Sequence, residues 1–68
     1  MKWILKEYMA KANISSYDEL SKESGIKRAT LFKRIREPRS IKAFEIDALD
    51  SVLHFSTDDL ARLARGKV

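Results

Sequence analysis

The sequence contains no cysteine, only two glycines and a single proline among its 68 residues. The absence of cysteine excludes disulfide bonds and zinc sites built on thiolates, and it favours a reducing, cytoplasmic compartment. No run of apolar residues is longer than three, whereas a membrane-spanning helix needs roughly 20 apolar residues. We therefore expect a cytoplasmic protein with no membrane partner.

The scarcity of glycine and proline leaves long stretches of good helix formers. No stretch alternates apolar and polar residues for long enough to predict a β-strand. A chain of this length forms one small domain. The sequence therefore predicts that residues 1–68 fold as a single, compact, all-α domain.

Five short helices are predicted from the apolar spacing and from the residues that begin and end helices. Ser16 and Glu19 have the spacing of a capping box, in which each side chain accepts the other residue's backbone N–H. The expected helices span about Lys2 to Ala12, Ser16 to Gly25, Lys27 to Arg36 or Glu37, a fourth from near Ser40, and a fifth through Leu60 and Leu63 after a cap at Ser56.

The inward faces of the third and fourth helices follow from the same spacing. Leu31 and Ile35, one turn apart, are expected to face the core from the third helix. Pro38 ends that helix, because proline disfavours helix at the preceding residue. The residues expected to face inward from the fourth helix are Phe44, Leu49, Val52 and Leu53, with Ile41 or Ile46 filling in.

Positive charge is concentrated in one segment. Residues 27–42 hold seven bases and one acid, a net charge of +6, and the rest of the chain holds seven bases and nine acids, a net charge of −2. Solvated helix faces usually mix both signs. A positive field on a slightly acidic body therefore predicts a polyanionic partner.

The sequence offers little for catalysis. His54 is the one histidine, and its position near a helix C-terminus suits a structural role. There is no glycine-rich phosphate loop and no spacing typical of metal ligands. We expect neither an enzyme nor a cofactor or metal site.

The segment "YDELSKESGIKRATLFKRI" resembles the helix-turn-helix of the phage lambda-type repressor and Cro family. The resemblance is carried by Leu20, Ser21, Ser24, Gly25, Ile26 and Leu31. The later stretch "SIKAFEIDALDSVLHFSTDDLARL" is similar to the last two helices of that family. The resemblance covers about residues 5–64 and implies a five-helix domain in which helices 2 and 3 form the helix-turn-helix.

Two departures from the family pattern stand inside the motif. Family members often have glutamine at the start of the first motif helix, where it contacts a phosphate, and this chain has Tyr17. Arg34 occupies a position that is usually aliphatic. The second departure bears on how the last turn of helix 3 is oriented.

The resemblance implies a sequence-specific transcriptional regulator, a Cro-like repressor that places helix 3 in the major groove of double-stranded DNA. Arg28 would donate two hydrogen bonds to guanine. Phe32 either meets a thymine methyl group or packs against helix 2 or helix 4. The full set of expected base contacts is Lys27, Arg28, Ala29, Phe32 and Lys33.

The remaining polar residues around helix 3 are expected to contact phosphates, which position a protein on DNA without specifying the sequence. This set comprises Tyr17, Thr30, Arg34, Arg36, Arg39 and Lys42. A single domain makes too few base contacts to select one genomic site. The family implies a palindromic operator, and we expect a weak homodimer that forms on the DNA.

A second class of function remains open. A protein-binding adaptor or antirepressor would use the same fold to contact another regulator, with the basic segment facing an acidic partner. Such a protein would present an exposed apolar patch, for which Trp3 and Tyr8 are the candidates.

Overall fold

The computed structural model describes residues 2–65, which form five α-helices, one short 3-10 helix and no β-strand. The expectation of an all-helical chain is confirmed. The elements are α1 (Lys2–Lys11), α2 (Tyr17–Ser24), α3 (Arg28–Arg36), the 3-10 helix (Pro38–Ser40), α4 (Ala43–Leu53) and α5 (Thr57–Ala64). Residues 1 and 66–68 of the expected domain lie outside the described part.

The caps of α2 and α5 are the serines that the sequence indicated. The Ser16 Oγ accepts the Glu19 N–H at 3.1 Å, and the Ser56 Oγ accepts the Asp59 N–H at 3.2 Å. The return bond of the expected capping box differs, because Glu19 accepts the backbone N–H of Ser15 at 2.9 Å. Each cap therefore satisfies an orphan donor of a helix N-terminus.

The start of α4 corrects two expectations. The helix begins at Ala43 and not near Ser40, because Pro38–Ser40 form a separate 3-10 turn. Phe44 was expected to face inward, and this is wrong: its side chain is 67% exposed. At 100° per residue Phe44 lies about 140° around the helix from Leu49. The two residues therefore cannot both face the core: Leu49 does, and in the first turn of α4 the buried residue is Glu45.

One cluster of buried side chains joins all five helices. The core residues are Ile4, Leu5, Tyr8, Met9, Leu20, Ile26, Leu31, Ile46, Leu49, Leu53, Phe55 and Leu63. Ile35 and Val52, both expected inward, pack against this cluster while partly buried. The Cα radius of gyration is 10.5 Å, close to the value of about 11 Å for a compact chain of this length.

The described helices are also too short or too polar to cross a membrane: no helix within residues 2–65 has the required length and apolar character.

Candidate nucleic-acid interface

The connection between α2 and α3 is a tight turn held by its own small side chains. Gly25 has a φ of +78°, the left-handed conformation that glycine adopts without steric penalty, and its N–H donates to the Ser21 carbonyl at 2.9 Å. The Ser21 hydroxyl donates to the Ile26 carbonyl. The Ser24 Oγ accepts the Ile26 N–H at 3.3 Å. These bonds fix where α3 begins.

The rotation of α3 about its axis is set by the core. Leu31 is fully buried together with Leu20 of α2. The opposite side of α3 faces solvent, and its exposed residues are Lys27, at the N-cap, and Arg28, Ala29, Lys33 and Arg36. At 100° per residue the four helical members of this set lie within an arc of about 140°. Arg28, Ala29 and Lys33, three of the five residues predicted to contact bases, thus share one face, and Phe32 lies between them.

Arg28 is held at the first turn of α3 by a small network. Its Nε lies 2.7 Å from the Oδ1 of Asp18, the second residue of α2. Its guanidinium carbon lies 5.3 Å from the centre of the Phe32 ring, within the range of a cation–π contact. Asp18 was not among the residues singled out in the sequence, although an acid in the first turn of α2 was visible there.

Phe32 takes one of the two positions predicted for it, against α2. Its ring meets the Tyr17 ring edge to face, with 5.4 Å between centroids and 77° between planes. The Tyr17 hydroxyl oxygen is buried and has no hydrogen-bond partner within residues 2–65. Because this hydroxyl is buried, its position does not support the predicted contact between Tyr17 and a phosphate.

Arg34 lies differently from the other bases. Its Nε donates to the Glu45 Oε1 at 2.8 Å, and its Nη1 donates to the Ser40 Oγ at 3.3 Å. The Arg34 side chain is only 13% exposed and that of Glu45 only 3%. Arg34 was predicted to hold a phosphate. The structure directs it inward, toward the buried carboxylate of Glu45 on α4, which neutralises it.

Glu45 is the ion-pair partner of Arg34, and it was not predicted from the sequence. Its carboxylate also accepts the Lys42 N–H at 2.8 Å. Burial raises the pKa of this carboxyl, but the bonds from Arg34 and from the Lys42 backbone, together with both positive charges, outweigh that effect and leave the pKa below its ordinary value. The sequence carried one signal: Arg34 directly precedes Ile35, which was expected to face the core, and a cation directed toward a core needs a carboxylate beside it.

The bases at the C-terminal end of α3 and after it remain at the surface. Arg36, Arg39 and Lys42 are exposed, and Thr30 is half-buried. With Arg34 paired inside, six exposed cations remain between residues 27 and 42. They extend from the N-cap of α3, along its outer face, to the N-cap of α4.

Two large apolar side chains are exposed on the described surface. Trp3 is 55% exposed and Phe44 is 67% exposed. Phe44 borders a groove of about 470 Å³ that is also lined by Lys27 and Thr30. The patch expected around Trp3 and Tyr8 does not form, because Tyr8 is buried and its hydroxyl donates to Asp59.

Within residues 2–65, no three histidine or acidic side chains are grouped closely enough to hold a metal ion. No protein-family model, curated protein or solved structure matches the chain.

Proposed function

We propose that this chain is a sequence-specific DNA-binding transcriptional regulator, a Cro-like repressor of the phage lambda-type family acting in the cytoplasm. In this proposal α2 and α3 form the helix-turn-helix, and α3 enters the major groove. The left-handed turn at Gly25 and the shared burial of Leu20 and Leu31 support this arrangement.

One observation carries the proposal. Six exposed cations lie along α3 and the segment that follows it, while the one acid in that stretch is Glu37. The duplex surface is a dense array of phosphates, and its major groove admits an α-helix. A surface of one sign on the exposed side of a short, fixed helix fits that partner.

The contacts divide by position. Lys27, Arg28, Ala29 and Lys33 lie at the start and on the outer face of α3, where a helix in the groove meets base edges. Phe32 would act by supporting Arg28. The phosphate contacts are assigned to Thr30, Arg36, Arg39 and Lys42. Arg34 and the Tyr17 hydroxyl are omitted because both are directed inward.

One copy reads few base pairs. At about 1–3 kcal/mol of discrimination for each good base contact, four contacts leave a monomer unable to select a single genomic site. We therefore propose binding to a palindromic operator by two copies that associate weakly on the DNA.

Selection of bound duplexes from a random pool tests this function. We expect a short enriched sequence that contains a guanine and is repeated in inverted orientation. The selected duplex should bind at least 10³-fold more tightly than a scrambled one, roughly the lower end of the range for specific regulators. Enrichment of no sequence would contradict the proposal.

The exposure of Phe44 favours a second function, that of an adaptor or antirepressor. Phe44 and Lys27 border one groove, so a partner segment that carries both an apolar and an acidic side chain would complement it. An adaptor would show no preference for any duplex, so the same selection separates the two functions.

A further inference from the structure

Arg28 occupies an electrostatically unfavourable place. It is the first residue of α3, where the positive end of the helix dipole disfavours a cation. The first turn of α3 contains no acid that would offset this. The nearest compensation comes from another helix, through the carboxylate of Asp18 on α2.

The geometry of the pair leaves one edge of the guanidinium available. The contact with Asp18 is made at Nε, 2.7 Å from Oδ1, and one face of the group lies over the Phe32 ring. The edge formed by the two terminal nitrogens is the one that makes paired hydrogen bonds with guanine O6 and N7. Asp18 and Phe32 thus restrain Arg28 without using that edge.

We propose that Asp18 is a specificity-determining residue: its carboxylate holds the terminal edge of Arg28 toward a guanine and disfavours duplexes that lack one there. This inference rests on the proposed function. Asp18 itself need not touch a base, and it is therefore a positioning residue that acts through Arg28.

The carboxylate gives specificity because its unfavourable effect on binding is offset on one kind of duplex only. A negative charge at the interface is repelled by every phosphate backbone. Only a duplex that offers guanine to Arg28 recovers the loss, through hydrogen bonds to an arginine already oriented. Removing Asp18 should consequently weaken discrimination without weakening general affinity for DNA.

The pair has little influence on folding. Both side chains are about two-thirds exposed, at 66% and 69%, and exposed ion pairs contribute roughly 0–1 kcal/mol to stability. When a duplex displaces the surrounding water, the same pair becomes stronger, because the local dielectric constant falls. A role confined to the free protein, such as neutralising the dipole of α2, would leave base preference unchanged.

The test compares Asp18→Asn with Glu23→Gln, a matched change that removes an exposed acid from the same helix. Each variant is titrated against the selected duplex and a scrambled duplex, and the ratio of the two affinities is the readout. We expect Asp18→Asn to lower this ratio by about 2- to 10-fold, because the ion pair that orients Arg28 is lost. Its affinity for the scrambled duplex should not fall, and Glu23→Gln should leave the ratio unchanged.

A double-mutant cycle with Arg28→Ala identifies the route of the effect. Asp18→Asn should have no further influence on the ratio once Arg28 is absent. Asp18→Ser serves as a second variant, and circular dichroism establishes that each variant is folded.

Three results would overturn the inference while leaving DNA binding in place. The first is an unchanged affinity ratio for Asp18→Asn. The second is a loss of the ratio on Asp18→Asn that is as large in the Arg28→Ala background as in the unmodified chain. The third is a ratio that rises in Asp18→Asn, which would mean that Asp18 holds Arg28 away from the DNA. Failure of the proposed function is recognised separately, because the unmodified chain would then show no preference between the duplexes, and the inference would fall with it.

Discussion

Arg34 on α3 and Glu45 on α4 form a buried ion pair. Breaking such a pair by removing one partner destabilises a protein by about 3–5 kcal/mol, because the other charge stays buried and unpaired. Arg34 is paired with Ser40 as well. The pair therefore links α3, the following 3-10 helix and α4, and holds the segment that carries Arg39.

The stability of the protein should fall in acid partly through Glu45. Its pKa in the folded chain lies below the ordinary value of 4.5, so the unfolded chain takes up the proton more readily. The contribution is complete above pH 4.5 and is lost as the pH falls through the folded pKa. Urea unfolding from pH 7 downward should show this loss in the unmodified chain.

The variant Glu45→Gln separates the contribution of Glu45 to acid-dependent stability from the contribution of Asp59. The hydrogen bond from Tyr8 lowers the pKa of Asp59, against an opposing effect of burial, so Asp59 acts in the same direction and range. We expect the variant to be less stable at pH 7 by about 3 kcal/mol and to have a shallower dependence on pH. Parallel curves for the two proteins would contradict the role assigned to Glu45.

Arg28 and Arg39 are expected to differ in what they contribute to DNA binding. Arg28→Ala should lose about 1–3 kcal/mol on the selected site and flatten the preference at one base pair, whereas Arg39→Ala should weaken all duplexes about equally. Titration of both variants against selected and scrambled duplexes measures the difference. An equal loss on both duplexes for Arg28→Ala would assign it to a phosphate and move the specificity to Lys33 or Lys27.

At the scale of elements, the turn between α2 and α3 depends on Gly25. A Cβ at this position would meet no atom within 4 Å, so the effect of a substitution is conformational and not steric. Gly25→Ala should destabilise the protein by about 1–2 kcal/mol, and Gly25→Asn by less, because asparagine tolerates the left-handed region. Thermal unfolding of both variants measures this, and equal stability of Gly25→Ala and the unmodified chain would contradict it.

The elements were predictable where a local signal fixed them. Ser16, Ser56 and Gly25 mark helix ends through bonds within a few residues, and the sequence placed these ends correctly. The start of α4 was misplaced because Pro38–Ser40 form a 3-10 turn of their own, in which the Ser40 N–H donates to the Glu37 carbonyl at 2.9 Å, and helix-start signals did not separate this turn from α4. The inward rotation of Arg34 and the pairing of Arg28 with Asp18 are contacts between helices, which periodicity within one helix does not encode.

At the scale of the whole molecule, charge is divided between two parts. Residues 27–42 carry +6 and the rest of the chain carries −2. Only Arg34 of the seven bases in that segment is neutralised in the interior. The field around the α3 face should therefore orient the molecule toward a polyanion and speed its association at low salt.

The affinity for the selected duplex as a function of salt concentration tests whether the exposed cations of α3 and the following segment bind DNA phosphates. Each neutralised phosphate contributes a slope of about −0.9 to the plot of log affinity against log salt. Contacts from three to six exposed cations should give each chain a slope between about −3 and −5. We predict a straight line in that range, which becomes shallower by about one unit in Arg39→Ala. An affinity that does not change between about 50 and 200 mM salt would contradict it.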